Sequence, residues 1–158
     1  MDSYDHPNSP SPRVTEILAK AGWYPGRSVP ISPFIPDGFV PFREAETVLR
    51  EFGGLHLGDC GAGVDFARSD VEIDPRLADH LKAELAEHEQ PLGARLLPLG
   101  EVHRGHGYLV IDERGRTYLL FDELSPLAPS FSQALESLLL GVRIDPGGPG
   151  ERRHIDPA

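Results

Sequence analysis

Two short phrases near the N-terminus constrain this chain more than any other part of it. They read Ala21-Gly22-Trp23-Tyr24-Pro25-Gly26-Arg27 and, one helix later, Val48-Leu49-Arg50-Glu51-Phe52-Gly53-Gly54-Leu55. In each, an apolar helical repeat is stopped by glycine, which can take the left-handed backbone that closes a helix. The first then offers an aromatic side chain for burial; the second passes straight into an apolar segment. Neither holds a nucleophile, a metal cluster or a phosphate loop, so both read as architecture.

The remaining pattern can be laid out around them. Ser11 can cap a first helix with Pro12 in its first turn, and Val14, Ile17, Leu18 and Ala21 form its apolar stripe. Trp23 to Phe39 contains Pro25, Pro30, Pro33 and Pro36 and reads as extended. A second helix is expected from near Pro41, with Phe42, Ala45, Val48, Leu49 and Phe52 on one face and its end at Gly53. Short strands are expected at Leu55–Leu57, Val64–Ala67 and Val71–Ile73. Asp74-Pro75 opens a third helix with Leu77, Ala78, Leu81 and Leu85 inward. Arg95–Leu99 and Tyr108–Phe121 read as strands, the latter folded into a hairpin at Asp112-Glu113-Arg114-Gly115. A last helix from about Ser132 to Leu140 closes at Gly141. The sum is an α+β single domain, an antiparallel sheet of short strands flanked by helices.

At 158 residues the length suits one domain with modest tails. Residues 1–12 and 144–158, rich in Pro and Gly, carry too little apolar surface to offset ordering and are expected to be mobile, leaving 13–143 as the folded unit. A single cysteine rules out an internal disulfide. The acidic N-terminus does not resemble a signal peptide, and the apolar runs are too short to span a bilayer, so a cytoplasmic protein away from membranes is expected.

Net charge is −10, from 25 acidic residues against 15 Lys and Arg. That balance repels phosphate backbones and argues against nucleic acid as a partner, whereas a basic protein surface would be attracted. The stretch from Asp59 to Glu89 concentrates the excess, with nine carboxylates against Arg68, Arg76 and Lys82. Taken alone, such a run is a solvated face.

Catalytic chemistry finds little footing. Cys60, in Gly58-Asp59-Cys60-Gly61-Ala62-Gly63, lacks a neighbouring base and has Asp59 beside it, which opposes a thiolate. The glycines there lack the Lys-Ser/Thr of a phosphate loop. Glu101, His103 and His106 could in principle ligate zinc and serve a small hydrolase, but Arg104 between the imidazoles opposes a cation and the glycines indicate a loop. His80 and His88 share a helix face at a spacing too long to close a site by themselves. No nucleophile elbow is present. The expectation is a binding protein, not an enzyme, with no cofactor and no metal.

The order and spacing of several phrases resemble the SUKH superfamily of bacterial immunity proteins, specifically its third group. The likeness runs from Arg13 to Arg143 and rests on Gly22, Trp23 and Arg27; on Phe52, Gly53 and Gly54; on Pro98 and Gly100; on Gly115 and Tyr118; and on Gly141. These matching positions look structural. The resemblance implies an antiparallel sheet flanked by helices. It also implies a cytoplasmic protein that binds and silences a cognate polymorphic toxin, often a nuclease or nucleic-acid deaminase with a basic cleft. Other superfamily members resemble scaffolding or regulatory modules, which is the competing reading. Within the acidic stretch, Glu72, Asp74 and Asp79 are the expected toxin-facing residues.

Overall fold

The computed structural model describes residues 10–146. The outermost parts of both expected tails, residues 1–9 and 147–158, lie outside the described residues.

Helix α1 (Pro12–Lys20) starts as its sequence dictates: the Ser11 hydroxyl accepts the N–H of Val14 at 3.3 Å and proline occupies the first turn. Val14 and Leu18 are fully buried. The proline-rich segment that follows is irregular rather than helical, broken by turns at Pro25-Gly26 and Asp37-Gly38 and by a 3-10 turn at Ser32–Phe34. Helix α2 (Arg43–Phe52) buries Ala45, Val48, Leu49 and Phe52. Its C-terminal carbonyls have no partners within the helix. Arg27 supplies them, donating from Nη1 to the Glu51 carbonyl at 2.7 Å and from Nη2 to that of Gly53 at 3.0 Å.

Trp23 sits at the same joint. It is partly buried, less than the near-complete burial its position suggests, because its indole Nε1 reaches out to the Glu51 carboxylate at 2.8 Å. Its ring stacks on Phe52 with centroids 6.4 Å apart, and Phe52 tilts against Phe131 at 5.1 Å. Gly54 takes the left-handed conformation expected for one of the two glycines (φ +86), while Gly53 does not. The Gly54 N–H then bonds to the Ile73 carbonyl, delivering the chain to the sheet.

Six antiparallel strands lie side by side in chain order: β1 (His56–Leu57), β2 (Val71–Ile73), β3 (Leu96–Val102), β4 (Gly107–Asp112), β5 (Thr117–Leu120) and β6 (Leu124–Ala128). One face carries Leu57, Val71, Ile73, Leu97, Leu99, Leu109 and Ile111 into a core shared with α1, α2 and α4 (Phe131–Leu140). The other face packs Leu96, Val110, Tyr118 and Leu120 against Ala78, Leu81 and Leu85 in a smaller core. The expected α+β domain is thus present, with helices on both faces of the sheet. Gly100 explains its own identity: a Cβ there would stand 1.8 Å from the Glu72 carbonyl oxygen of the neighbouring strand.

Three local expectations are corrected. Val64–Ala67 is not a strand, because its amides serve the end of α4: Val64 donates to the Leu140 carbonyl, and Asp65 and Phe66 to that of Gly141. The segment opened by Asp74-Pro75 is not one helix. Asp74 caps it as expected, accepting the Arg76 N–H, but Ala78 leaves helical geometry, so a 3-10 segment (Pro75–Leu81) precedes α3 (Lys82–Leu92) and the shared helical face of His80 and His88 is lost. Strand β6 was not anticipated, since Pro126 lies within it; an edge strand tolerates the missing donor.

The β4–β5 hairpin is built on a fully buried carboxylate. Asp112 accepts the N–H groups of Arg114 (2.8 Å) and Arg116 (3.0 Å) on one oxygen, and Arg116 Nε (3.1 Å) and the Tyr118 hydroxyl (2.8 Å) on the other. Burial, followed by that hydrogen bond, pushes the Tyr118 pKa up to about 12.

The joint and the Gly100 contact each give a test. Trp23→Ala should cost ~2–3 kcal/mol, below the ~3–5 kcal/mol of a fully buried aromatic. Arg27→Lys should recover less than half of what Arg27→Ala loses, since one ammonium cannot reproduce a two-carbonyl fork. Unchanged urea midpoints would remove the joint from the fold's supports. Gly100→Ala should lower stability by ~4 kcal/mol or more; a wild-type melting curve would show that the β2–β3 spacing yields to a methyl group.

Candidate functional site

Strand alternation decides where the acidic stretch goes. In β2, Val71 and Ile73 are wholly buried, so Glu72 between them must point to the opposite face. There it belongs to a single cross-strand row, His56–Glu72–Glu101–Tyr108–Leu120–Leu124, running over all six strands. The 3-10 segment and α3 cover the Leu120 half of this face. The half with His56, Glu72 and Glu101 is only partly covered, the His56 side chain being 56 % exposed.

Glu72 and Glu101 therefore stand directly opposite one another. Like charges so placed destabilise a sheet, and among the described residues neither carboxylate makes a hydrogen bond or ion pair. Tyr108 continues the row; its hydroxyl lies 3.2 Å from His80 Nε2, with the two rings edge to face. Asp79, 66 % exposed, is 3.8 Å from the other nitrogen of His80 and so borders the row at one remove. Asp74 is occupied differently: it caps its segment and holds Arg76 through Nε (3.0 Å) and Nη2 (2.9 Å), which consumes its charge locally. Of the three expected residues, Glu72 is an unpaired carboxylate on the open face, Asp79 lies at its rim, and Asp74 is chiefly a cap. Glu101 is the member that the sequence does not single out for this face. Its pairing with Glu72 is set by the β2–β3 register, and the bulge between Pro98 and Gly100 in the β3–β4 pairing bears on its pairing with Tyr108; no local pattern announces either.

A second cluster adjoins the row at the β3–β4 turn. Asp70, only 7 % exposed, accepts from His56 Nε2 (2.6 Å), from the Arg104 N–H (2.8 Å) and from the Cys60 thiol (3.7 Å). Burial by itself would raise the Asp70 pKa, but the bonds from His56 and the Arg104 amide outweigh it and hold the carboxyl below its ordinary value. Ser69, equally buried, accepts the His103 N–H at 2.8 Å and donates its hydroxyl to the Asp70 carbonyl. These two acceptors fix His103 (φ 50) and Arg104 (φ 55) in the left-handed region, at about 1–2 kcal/mol each for residues with a side chain.

The same twist separates Glu101 from His103 and His106. The His106 ring turns back onto the His103 carbonyl at 2.8 Å, and among the described residues no three His, Cys, Asp or Glu side chains are grouped to hold a metal ion. Cys60 meets a carboxylate there. On the far side of the sheet a cleft of about 510 Å³ opens between α1, α2 and α4, lined by Leu18, Trp23, Val48, Phe52 and Phe131.

Of the remaining positions that carry the family resemblance, Gly22 and Gly141 follow α1 and α4, Pro98 precedes the β3 bulge, and Gly115 turns the β4–β5 hairpin with φ +92. No helix among the described residues is long and apolar enough to cross a membrane. Searches of curated proteins and of solved structures found no match to the chain. A family model does match, that of the SUKH-3 immunity protein, over residues 10–141. That span takes in the four α-helices and six strands of the described residues, and the chain therefore belongs to the SUKH-3 immunity protein family.

Proposed function

We propose that this chain is a cytoplasmic immunity protein of a polymorphic toxin system. It binds a cognate toxin, a nuclease or nucleic-acid deaminase with a basic cleft, and blocks it by occlusion without turning over a substrate. Family membership supports the immunity role. The observation that carries the electrostatic part is the opposed, unpaired Glu72 and Glu101 on a half-open sheet face, rimmed by Asp79. A fold gains nothing from placing two carboxylates face to face, whereas a basic partner relieves their repulsion when it docks. An enzyme that grips nucleic acid must present such a surface. A net charge of −10 would steer the encounter, and an interface of about 1,600 Å² would hold it. Asp74 lies beside this face and is proposed to contribute through the cap that positions the following segment.

The immunity reading places a toxin domain in a neighbouring gene, and the test uses that domain. The chain should bind it and protect cells that express it; absence of both effects would overturn the immunity reading. Glu72→Lys with Asp79→Lys should slow association about three- to tenfold at low salt and flatten its salt dependence. The same reversal at Glu44 and Glu46, on α2 behind the sheet, is the control. Equal slowing by both pairs would reduce the acidic face to a share of overall charge.

A further inference from the structure

The β3–β4 turn has a feature that neither the fold nor the acidic face requires. Tight turns that need left-handed residues ordinarily place glycine or asparagine there. Here His103 and Arg104 take that conformation in succession. They are held in it by Ser69 and Asp70, buried side chains 34 residues away in the chain, through the bonds to the two amides. Strain of this kind persists only where surrounding structure over-determines it, and it concentrates at sites of recognition.

What the turn displays is equally specific. Arg104 is exposed, and among the described residues its guanidinium has no partner. Beside the turn, Phe121 is 44 % exposed with its ring 5.8 Å from that of His103. The ring lies on Gly107, where a Cβ would come within 2.2 Å of it. A glycine beneath and a histidine alongside thus hold a large apolar side chain in place at the surface. Arginine and aromatic side chains carry most interface energy; the Phe121 ring, held before binding, has little freedom left to lose, and the left-handed backbone sets where the Arg104 side chain leaves the turn.

We propose that the His103–Arg104 turn and Phe121 form the anchor of the toxin interface. Phe121 enters an apolar pocket of the toxin, and the Arg104 guanidinium pairs with a carboxylate beside that pocket. The inference rests on the immunity reading and deepens it. Glu101 lies three residues before Arg104, so the acidic row borders the anchor: the row speeds encounter and the turn slows release.

The decisive variant is Arg104→Gly, because glycine adopts the left-handed backbone without strain. Its denaturation midpoint should equal or exceed that of the wild type, while dissociation from the neighbouring-gene toxin speeds about tenfold or more with association within about twofold. Phe121→Ala should speed dissociation similarly, its own denaturation midpoint serving to separate lost contact from lost fold. If the wild-type chain fails to bind the toxin, the immunity reading falls and takes the anchor with it. If the wild type binds and Arg104→Gly, still folded, dissociates at the wild-type rate, the anchor is overturned while the immunity reading stands.

Discussion

The guanidinium of Arg27 on the end of α2 is the contact from which the rest of the arrangement follows. A helix end concentrates unpaired carbonyls and the negative end of the helix dipole, and a planar cation with two donors satisfies both. By holding the Glu51 and Gly53 carbonyls, Arg27 ties the proline-rich segment to α2, and the Val29 N–H on the Arg50 carbonyl adds a second tie. Trp23 and Phe52 carry the joint to Phe131 of α4. Gly54 carries it to the sheet through Ile73, and so sets where β1 meets β2. A slip of one residue there would turn Leu57 to solvent and His56 into the core. It would also take His56 away from Asp70, and with it one of the bonds that keep the acceptor of the Arg104 amide in place. The joint is thus coupled to the surface on the opposite side of the sheet.

Much of this was legible because the topology is local. Strands in chain order need no crossovers, and α1, α2 and α4 announce themselves with a cap or a terminal glycine (Ser11 and Gly22, Gly53, Gly141), whereas Asp74 caps only the 3-10 segment before α3. Failures came where tertiary demand overrode a local pattern. Val64–Ala67 has the composition of a strand, yet α4 ends beside it with carbonyls needing donors, and those took its amides. Pro126 hid β6 because proline argues against a central strand, and only the assembled sheet shows that this strand is at the edge. Asp112 read as a turn residue; that it is a buried acceptor for four donors depends on Tyr118 folding back across the hairpin.

The candidate site was legible only in its charge. The acidic bias between Asp59 and Glu89 pointed to Glu72, but Glu101, outside that stretch, becomes its neighbour only through the β2–β3 register. The spacing of Glu101, His103 and His106 suggested a ligand set, and the left-handed backbone between them undoes it. Nothing in the sequence near Ser69 or Asp70 signals that they accept the amides of a turn so far along the chain. Long-range side chain–backbone bonds leave no periodic trace.

The distribution of unfavourable features is itself informative. Among the described residues no buried side-chain nitrogen or oxygen lacks a hydrogen-bond partner, and several exposed cations are matched to carboxylates, as Arg68 is to Asp59, Arg76 to Asp74 and Arg95 to Glu113. Against that background the opposed pair Glu72 and Glu101 and the left-handed His103 and Arg104 break ordinary folding preferences in one neighbourhood, and Phe121, one of five exposed large hydrophobic side chains among the described residues, lies beside them. Local preferences are commonly violated where function constrains a sequence. Each of these violations is of a kind that a partner relieves: repelling carboxylates by a cation, an exposed ring by a pocket, a displayed guanidinium by a carboxylate. The strained turn differs from the others, since binding does not remove its strain. Its contribution is to have set beforehand the backbone from which Arg104 projects, so that this part of the cost falls on folding. In a protein whose proposed task is to capture a toxin before it acts, that division favours the bound state.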